Sequence, residues 1–266
     1  YAPTAPGAGN SYTITILINS LATALSCVIS EGTAPRTCEI ETPVTITPGQ
    51  AVSYEIVPAS IPTASAIFVA AVYASSTPGR HVILGGSDGS NLVTTSPGNI
   101  YFSWFGNSSS TSTTETAVQT IMPIAATCRN LYIALDAAPA AGRSRQFTVR
   151  NELASTALTD TISDTETTGS DLVNSFSVTA GNVMTMFMVN SGTPTAGLGR
   201  WGMVCDPTTL GQSLLMVGGT TQLSTTVTQY TFVSSDFNGL STTESTRNQI
   251  GFYPFSVTAI YAELDA

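Results

Sequence analysis

The chain holds a single histidine, His81, and no lysine; all eight of its basic residues are arginines. That inventory removes most of the side chains that act as general bases or form Schiff bases near neutral pH. His81 stands in PGRHVILGG, and no GxSxG elbow occurs anywhere to expose a nucleophilic serine. With 31 serines in the chain, a Ser–His–Asp set can be drawn by eye, but abundance supplies no geometry. Carboxylates come next. Asp160, Asp164, Glu166 and Asp171 crowd into DTISDTETTGSD, and Asp88 sits in GGSDGSN. Oxygen-rich loops of this kind suit Ca2+, which makes Asp88, Asp160, Asp164 and Asp171 the calcium candidates. None has EF-hand spacing, and solvated loop acids are the simpler reading. No pair is spaced to straddle a glycosidic bond, and the GG pairs lack the residues of a phosphate cradle. No catalytic residue and no cofactor other than that calcium is expected.

Two further groups invite a binding role. YFSWF at 101–105 puts Phe102 and Trp104 on one face of an extended strand. Exposed, they would stack on sugar rings; buried, they are core, which is the favoured reading. Arg143, Arg145 and Arg150 gather on one turn and strand, with Arg129 just before. A solvated edge that discourages stray strand pairing is favoured there over an anion site.

The composition narrows the classes further. Charged residues make up 9% of the 266 positions, against about 25% in an ordinary domain. Ser and Thr supply 73 residues, and the net charge is −9. With 42% hydrophobic residues this is not a disordered composition. No basic stripe is present to coat nucleic acid. The longest apolar run, 66–74, is too short to cross a bilayer. An acidic, Thr-rich chain without lysine points to an extracellular or virion surface.

The elements that must position these residues come in two sets. TALTDTIS (156–163) repeats TALSCVIS (23–30), and MVGG (216–219) repeats ILGG (83–86), both at a distance of 133 residues. SGTPTA (191–196) lies over ASIPTA (59–64) at 132. The first half of LYIALDAAPAAG (131–142) returns as IYAELDA (260–266), and its second half as APGAG (5–9). These matches describe a unit of about 133 residues present twice.

Each unit reads as β. Apolar and polar residues alternate over 12–18, 146–150, 183–189, 230–233 and 257–264, with Gly, Pro, Asn and Ser–Thr clusters between. Residues 151–157, NELASTA, could form one helical turn. The expected fold is all-β: two tandem antiparallel β-sandwich units, jelly-roll-like, related by internal duplication.

The plain cut, 1–137 and 138–266, falls inside a strand–turn–strand pattern. The Pro/Gly-bearing segments 75–81 and 206–212 are better linkers. They give a central sandwich, 82–206, and a composite sandwich of 1–81 plus 207–266. The strand carrying Tyr12 and Ile14 would then lie beside the one carrying Ile260 and Leu264, within one chain or between neighbouring subunits head to tail.

The repeat also sorts the cysteines. Cys27 becomes Asp160 in the other copy, and Cys38 becomes Asp171 or Ser170, so both thiols vanish together. A Cys27–Cys38 disulfide across a hairpin is expected. Cys128 and Cys205 match Val257 and Tyr73, and read first as buried thiols acting as small hydrophobes, with a disulfide between them as the alternative.

LYIALDAAPAAGRSRQFTVRN, SVTAGNVMTMFMVNSGTP and TISDTETTGSD resemble β-sandwich repeats of tailed-phage virion proteins and bacterial extracellular proteins. The resemblance implies a coat, decoration, fibre or filament subunit and transfers no catalytic residue. Few charges also mean little desolvation cost at contacts between copies. The expected function is that of a self-assembling, non-catalytic structural protein. Its partners would be copies of itself and other virion or surface proteins, with no nucleic acid and no membrane insertion. A carbohydrate-binding or adhesive module is the alternative.

Overall fold

Strands form where branched and aromatic residues alternate with Ser and Thr, and the alternation decides which face each strand buries. In VMTMFMVNS (Val183–Ser191), Met184, Met186 and Met188 lie in the core while Phe187 is half-buried on the other face. A computed structural model of the chain describes residues 5–30, 38, 40, 42–63, 75, 77–87, 92–94, 99–107, 111–214, 216–218, 224, 226–230, 235–237, 241–243 and 260. Its sheets are antiparallel apart from two short parallel pairings. Among the described residues there is no α-helix, only a short 3-10 turn at Glu115–Val118.

The chain divides into two compact units, Tyr1–Ala74 and Ser75–Ala266. The first holds β1 (Ser11–Ile18), β2 (Leu21–Ser30) and β3 (Val52–Ala59), in the order β2-β1-β3. The second begins with β4 (His81–Gly86), β5 (Asn99–Phe102), β6 (Gly106–Asn107) and β7 (Thr120–Ile121). It continues with β8 (Ala126–Leu135), β9 (Ala140–Asn151), β10 (Ala154–Asp164), β11 (Thr168–Val178), β12 (Val183–Ser191) and β13 (Gly199–Pro207). The short β14 (Val217–Gly218) and β15 (Ser235–Phe237) pair with each other. One sheet runs β10-β9-β12-β5, with β7 beside β12; the other runs β11-β8-β13-β4-β6. The pairing is nested: β9 with β10, β8 with β11, β5 with β12, β4 with β13.

Both large sheets feed one core, and the rings of Phe102 and Phe147 from one meet Trp201 from the other at 5.4 and 6.3 Å. β8 shows how the sequence keeps its apolar residues in phase. Ala126 and Cys128 are buried, then Leu131, Ile133 and Leu135. The three-residue step from 128 to 131 is absorbed at Asn130, which has φ of 58°. A bulge residue in this conformation turns the strand by one position, and Asn tolerates it better than most.

The sheet of the first unit has a close counterpart in the second. Tyr12↔Ile29, Ile14↔Cys27 and Ile18↔Leu21 correspond to Arg145↔Ile162, Phe147↔Asp160 and Asn151↔Ala154. Pairing is interrupted at the same place, between Thr15 and Leu17 and between Ser155 and Thr159. Thr23 Oγ1 donates to the Ile16 carbonyl at 2.8 Å, as Thr156 Oγ1 does to Val149. The turns also match: Asn19 and Ser20 have φ of 51° and 64°, Glu152 and Leu153 51° and 62°. β1 pairs with β3 as β9 pairs with β12, Ile16↔Tyr54 against Val149↔Met186.

Three expectations are corrected. Residues 151–157 form no helical turn; two left-handed residues make the tight hairpin turn whose twist suits paired strands. β8 and β9 do not lie side by side, because residues 136–139 carry the chain from one sheet to the other. That crossing is held by Leu198 and Thr195, whose amides donate to Asp136 Oδ1 and the Pro139 carbonyl. Nor does β1 offer Tyr12 and Ile14 to a terminal strand, since β2 and β3 occupy both of its edges.

The two compact units also differ from the composite of 1–81 plus 207–266: 207–266 belongs to the second. β4 to β13, which span 81–207, supply all eight strands of the nested set. Leu264 lies outside the described residues, and Ile260 is exposed.

Candidate functional site

The residues singled out for chemistry are scattered and mostly occupied. His81 opens β4, and its Nε2 donates to the Gln212 carbonyl at 2.9 Å. Burial pushes the imidazole pKa below its usual value, only partly offset by that hydrogen bond and by Asp206. That partner is a main-chain carbonyl, which holds the ring but cannot exchange a proton with it. Asp206 itself is bound by Arg80 at 2.7 Å and by Arg129 at 2.5 Å. The Arg80 hydrogen bond, outweighing burial, holds its carboxyl below the ordinary carboxylate range.

The acidic loop is divided among separate tasks. Asp171 accepts the amides of Thr159, Val173 and Asn174 and the Asn174 side chain. Burial disfavours its charge, but these donors prevail and its pKa is lowered. Asp164 Oδ1 caps the Gly142 amide at 2.6 Å. Asp160 has a buried Oδ2 without a hydrogen-bond partner. Burial, together with Asp171 and Glu166, raises its pKa. Among the described residues no group of three or more His, Cys, Asp or Glu is placed to hold a metal ion. Asp88 lies outside the described residues.

Phe102 and Trp104 have no exposed surface. A ring without an open face cannot stack on a sugar, and the glycan platform expected as an alternative loses both its residues. The arginines do not form a single solvated edge: Arg143 is exposed, but Arg145 and Arg150 are drawn into the fold. Arg145 is fully buried and donates to the carbonyls of Val93 and Thr195 and to Asn190 Oδ1. Burial lowers its pKa to about 10, which leaves it charged at neutral pH. Arg150 pairs with Glu115 at 2.7 Å and lies over the rings of Tyr101 and Phe187. Arg143 is bonded to the Thr193 carbonyl. Sequence patterning missed these roles because the acceptors are distant in the chain and mainly backbone carbonyls.

Both cysteine pairs are disulfides. Cys27–Cys38 closes a separation of 11 residues in the first unit. Cys128–Cys205 joins directly paired positions of β8 and β13 across 77 residues. The second bond corrects the reading of free buried thiols. Its signal was the apolar strand on each side, which could place both residues inside but not opposite each other.

What remains open is a surface. β3 is exposed along its whole length. Tyr54 and Ile56 are 44% and 42% exposed, whereas Met186 and Met188, at the same register positions of β12, are fully buried. Val52 repeats the contrast with Met184. A row of large apolar side chains on a sheet face marks an interaction surface more often than a solvated one. Neither a known family model nor a curated protein matches the sequence.

Proposed function

We propose that this is a self-assembling structural protein of a virion or an extracellular filament, built from two copies of a jelly-roll-like β-sandwich unit. The observation that carries this reading is the exposed apolar row of Val52, Tyr54 and Ile56, at positions that are core in the matched sheet. Duplication is supported by the shared register, bulge and turn of β1–β3 and β9, β10 and β12. The nested pairing of β4 to β13 across two sheets supports the jelly-roll reading, since a long hairpin rolled on itself would pair its strands in this order.

A non-catalytic role is favoured by the way the chemical groups are used up as caps, clamps and ion pairs. Two disulfides favour an oxidising location, on a virion or outside a cell. Among the described residues no helix is long and apolar enough to cross a membrane. Electron microscopy and sedimentation velocity over a concentration series test the proposal. Regular particles or filaments that grow with concentration are expected; a single monomeric species at every concentration overturns it.

A further inference from the structure

In the second unit, the roll is completed by a strand that precedes its tip hairpin. β8 lies in the sheet facing β9 and β12, with Leu131 fully buried in the shared core. Within this chain the sequence that repeats β8 is at the other end. ATCRNLYIAL (126–135) is matched by FSVTAIYAEL (255–264), which places Val257, Ile260 and Leu264 at the positions of Cys128, Leu131 and Leu135. The same three-residue step separates Val257 from Ile260. The bridge Tyr101↔Ser112 just before β8 is likewise repeated as Tyr230↔Ser241. Ser112 Oγ accepts the Thr114 amide at 2.9 Å, and Ser241 Oγ accepts that of Thr243 at 3.0 Å.

The chain therefore carries one complete roll, and the two halves of another at opposite ends. Those halves belong to different compact units. Each half shows apolar side chains uncovered where its counterpart is buried. Tyr54 and Ile56 do so at one end, and Ile260, 87% exposed against none for Leu131, does so at the other.

We infer that residues 255–264 of one copy complete the amino-terminal sheet of a second copy, head to tail. They would form a strand in the facing sheet, over Val52, Tyr54 and Ile56 of β3, and not at an edge of β1. The inference rests on the self-assembly reading and names the contact that propagates it. Each joint would bury the Val257, Ile260 and Leu264 side chains, and each chain would present one donor strand and one acceptor sheet. Such a heterologous contact does not close on itself unless the rotation between copies makes a ring.

The Cys128–Cys205 bond supplies the test, since its matched positions are Val257 and Tyr73. Chains carrying Val257→Cys are mixed with chains carrying Tyr73→Cys under oxidising conditions, and products are read on a non-reducing gel. A covalent dimer is expected from the mixture, and a ladder of covalent oligomers from the double variant. A double variant that runs as a single chain, with its two new thiols joined, overturns the assignment to a second copy. No bond at all in either sample, from variants with unchanged near-ultraviolet circular dichroism, overturns the strand's placement. As a second measurement, a free peptide of residues 253–266 is added to the unmodified protein. It is expected to shorten the assemblies; assemblies of unchanged size overturn the inference while leaving self-assembly standing. Unmodified protein that is monomeric at every concentration overturns both.

Discussion

The sheet of β1, β2 and β3 and the sheet of β9, β10 and β12 share backbone pairing but not surroundings. In both, a threonine at the start of the second strand clamps the first, through Thr23 and Thr156. In both, a side chain on the first strand holds a loop: Tyr12 donates to the Thr63 carbonyl, and Arg145 donates to Thr195. The difference is on the faces. Met184, Met186 and Met188 are sealed under a second sheet, while Val52, Tyr54 and Ile56 are open. Crosslinking differs too. Cys27 and Cys38 are bonded beside the first sheet; in the second, Asp160 stands at the register position of Cys27. Backbone register is thus insensitive to changes that alter what a surface can bind.

The comparison is tested most severely at the disulfides. Replacing Cys128 and Cys205 together by Ala releases a loop of 77 residues and is expected to cost on the order of 4 kcal/mol, against about 3 for the shorter loop of Cys27 and Cys38. Calorimetry of the two double variants checks the order, and an equal or reversed loss would break it. Paired truncations come next. Met186→Ala should cost about 3 kcal/mol by leaving a cavity. In dilute, unassembled protein Tyr54→Ala should change stability by no more than about 0.5 kcal/mol. Denaturant titrations with equal losses would mean that the β3 face is covered in the single chain.

Smaller effects bear on what the two sheets share. Thr23→Val and Thr156→Val each remove a clamp at the bulge, and each is expected to cost about 1 kcal/mol. A loss confined to one of them would show that the matched hydrogen bonds are not equivalent. Asp160→Asn is expected to raise the melting temperature slightly at neutral pH. The raised pKa of Asp160 means that the folded protein binds this proton more tightly than the unfolded chain. The charged form is therefore destabilising above the folded pKa, and the penalty disappears as pH falls through that value toward the ordinary carboxylate range. The advantage of the Asn variant should vanish over the same interval; thermal scans at several pH values check it.

Much of the β architecture was legible in the residues. Alternation located β1, β9 and β12, and the 133-residue repeat aligned the same strands that the register aligns. The absence of cysteine from the segment that repeats the one around Cys27 and Cys38 pointed to their bond. The site was less legible. Burial of Phe102 depended on which face of β5 met Trp201, and Trp104, beyond the end of that strand, is buried where its carbonyl accepts the Trp201 indole N–H. The role of Arg145 depended on three acceptors, each 45 or more residues away in the chain.

Period, propensity and repetition are local or self-referential properties, and so the sequence by itself determined that this chain is built of strands, where many of them run, and that a pattern recurs. Which strands face each other is a matter of long-range packing. Only the tertiary structure decided that β8 and β9 part into different sheets, that Cys128 meets Cys205, and that the apolar row of β3 is exposed where the matched row of β12 is buried. The physical reason is that a strand's pattern specifies one buried side but not the partner that buries it.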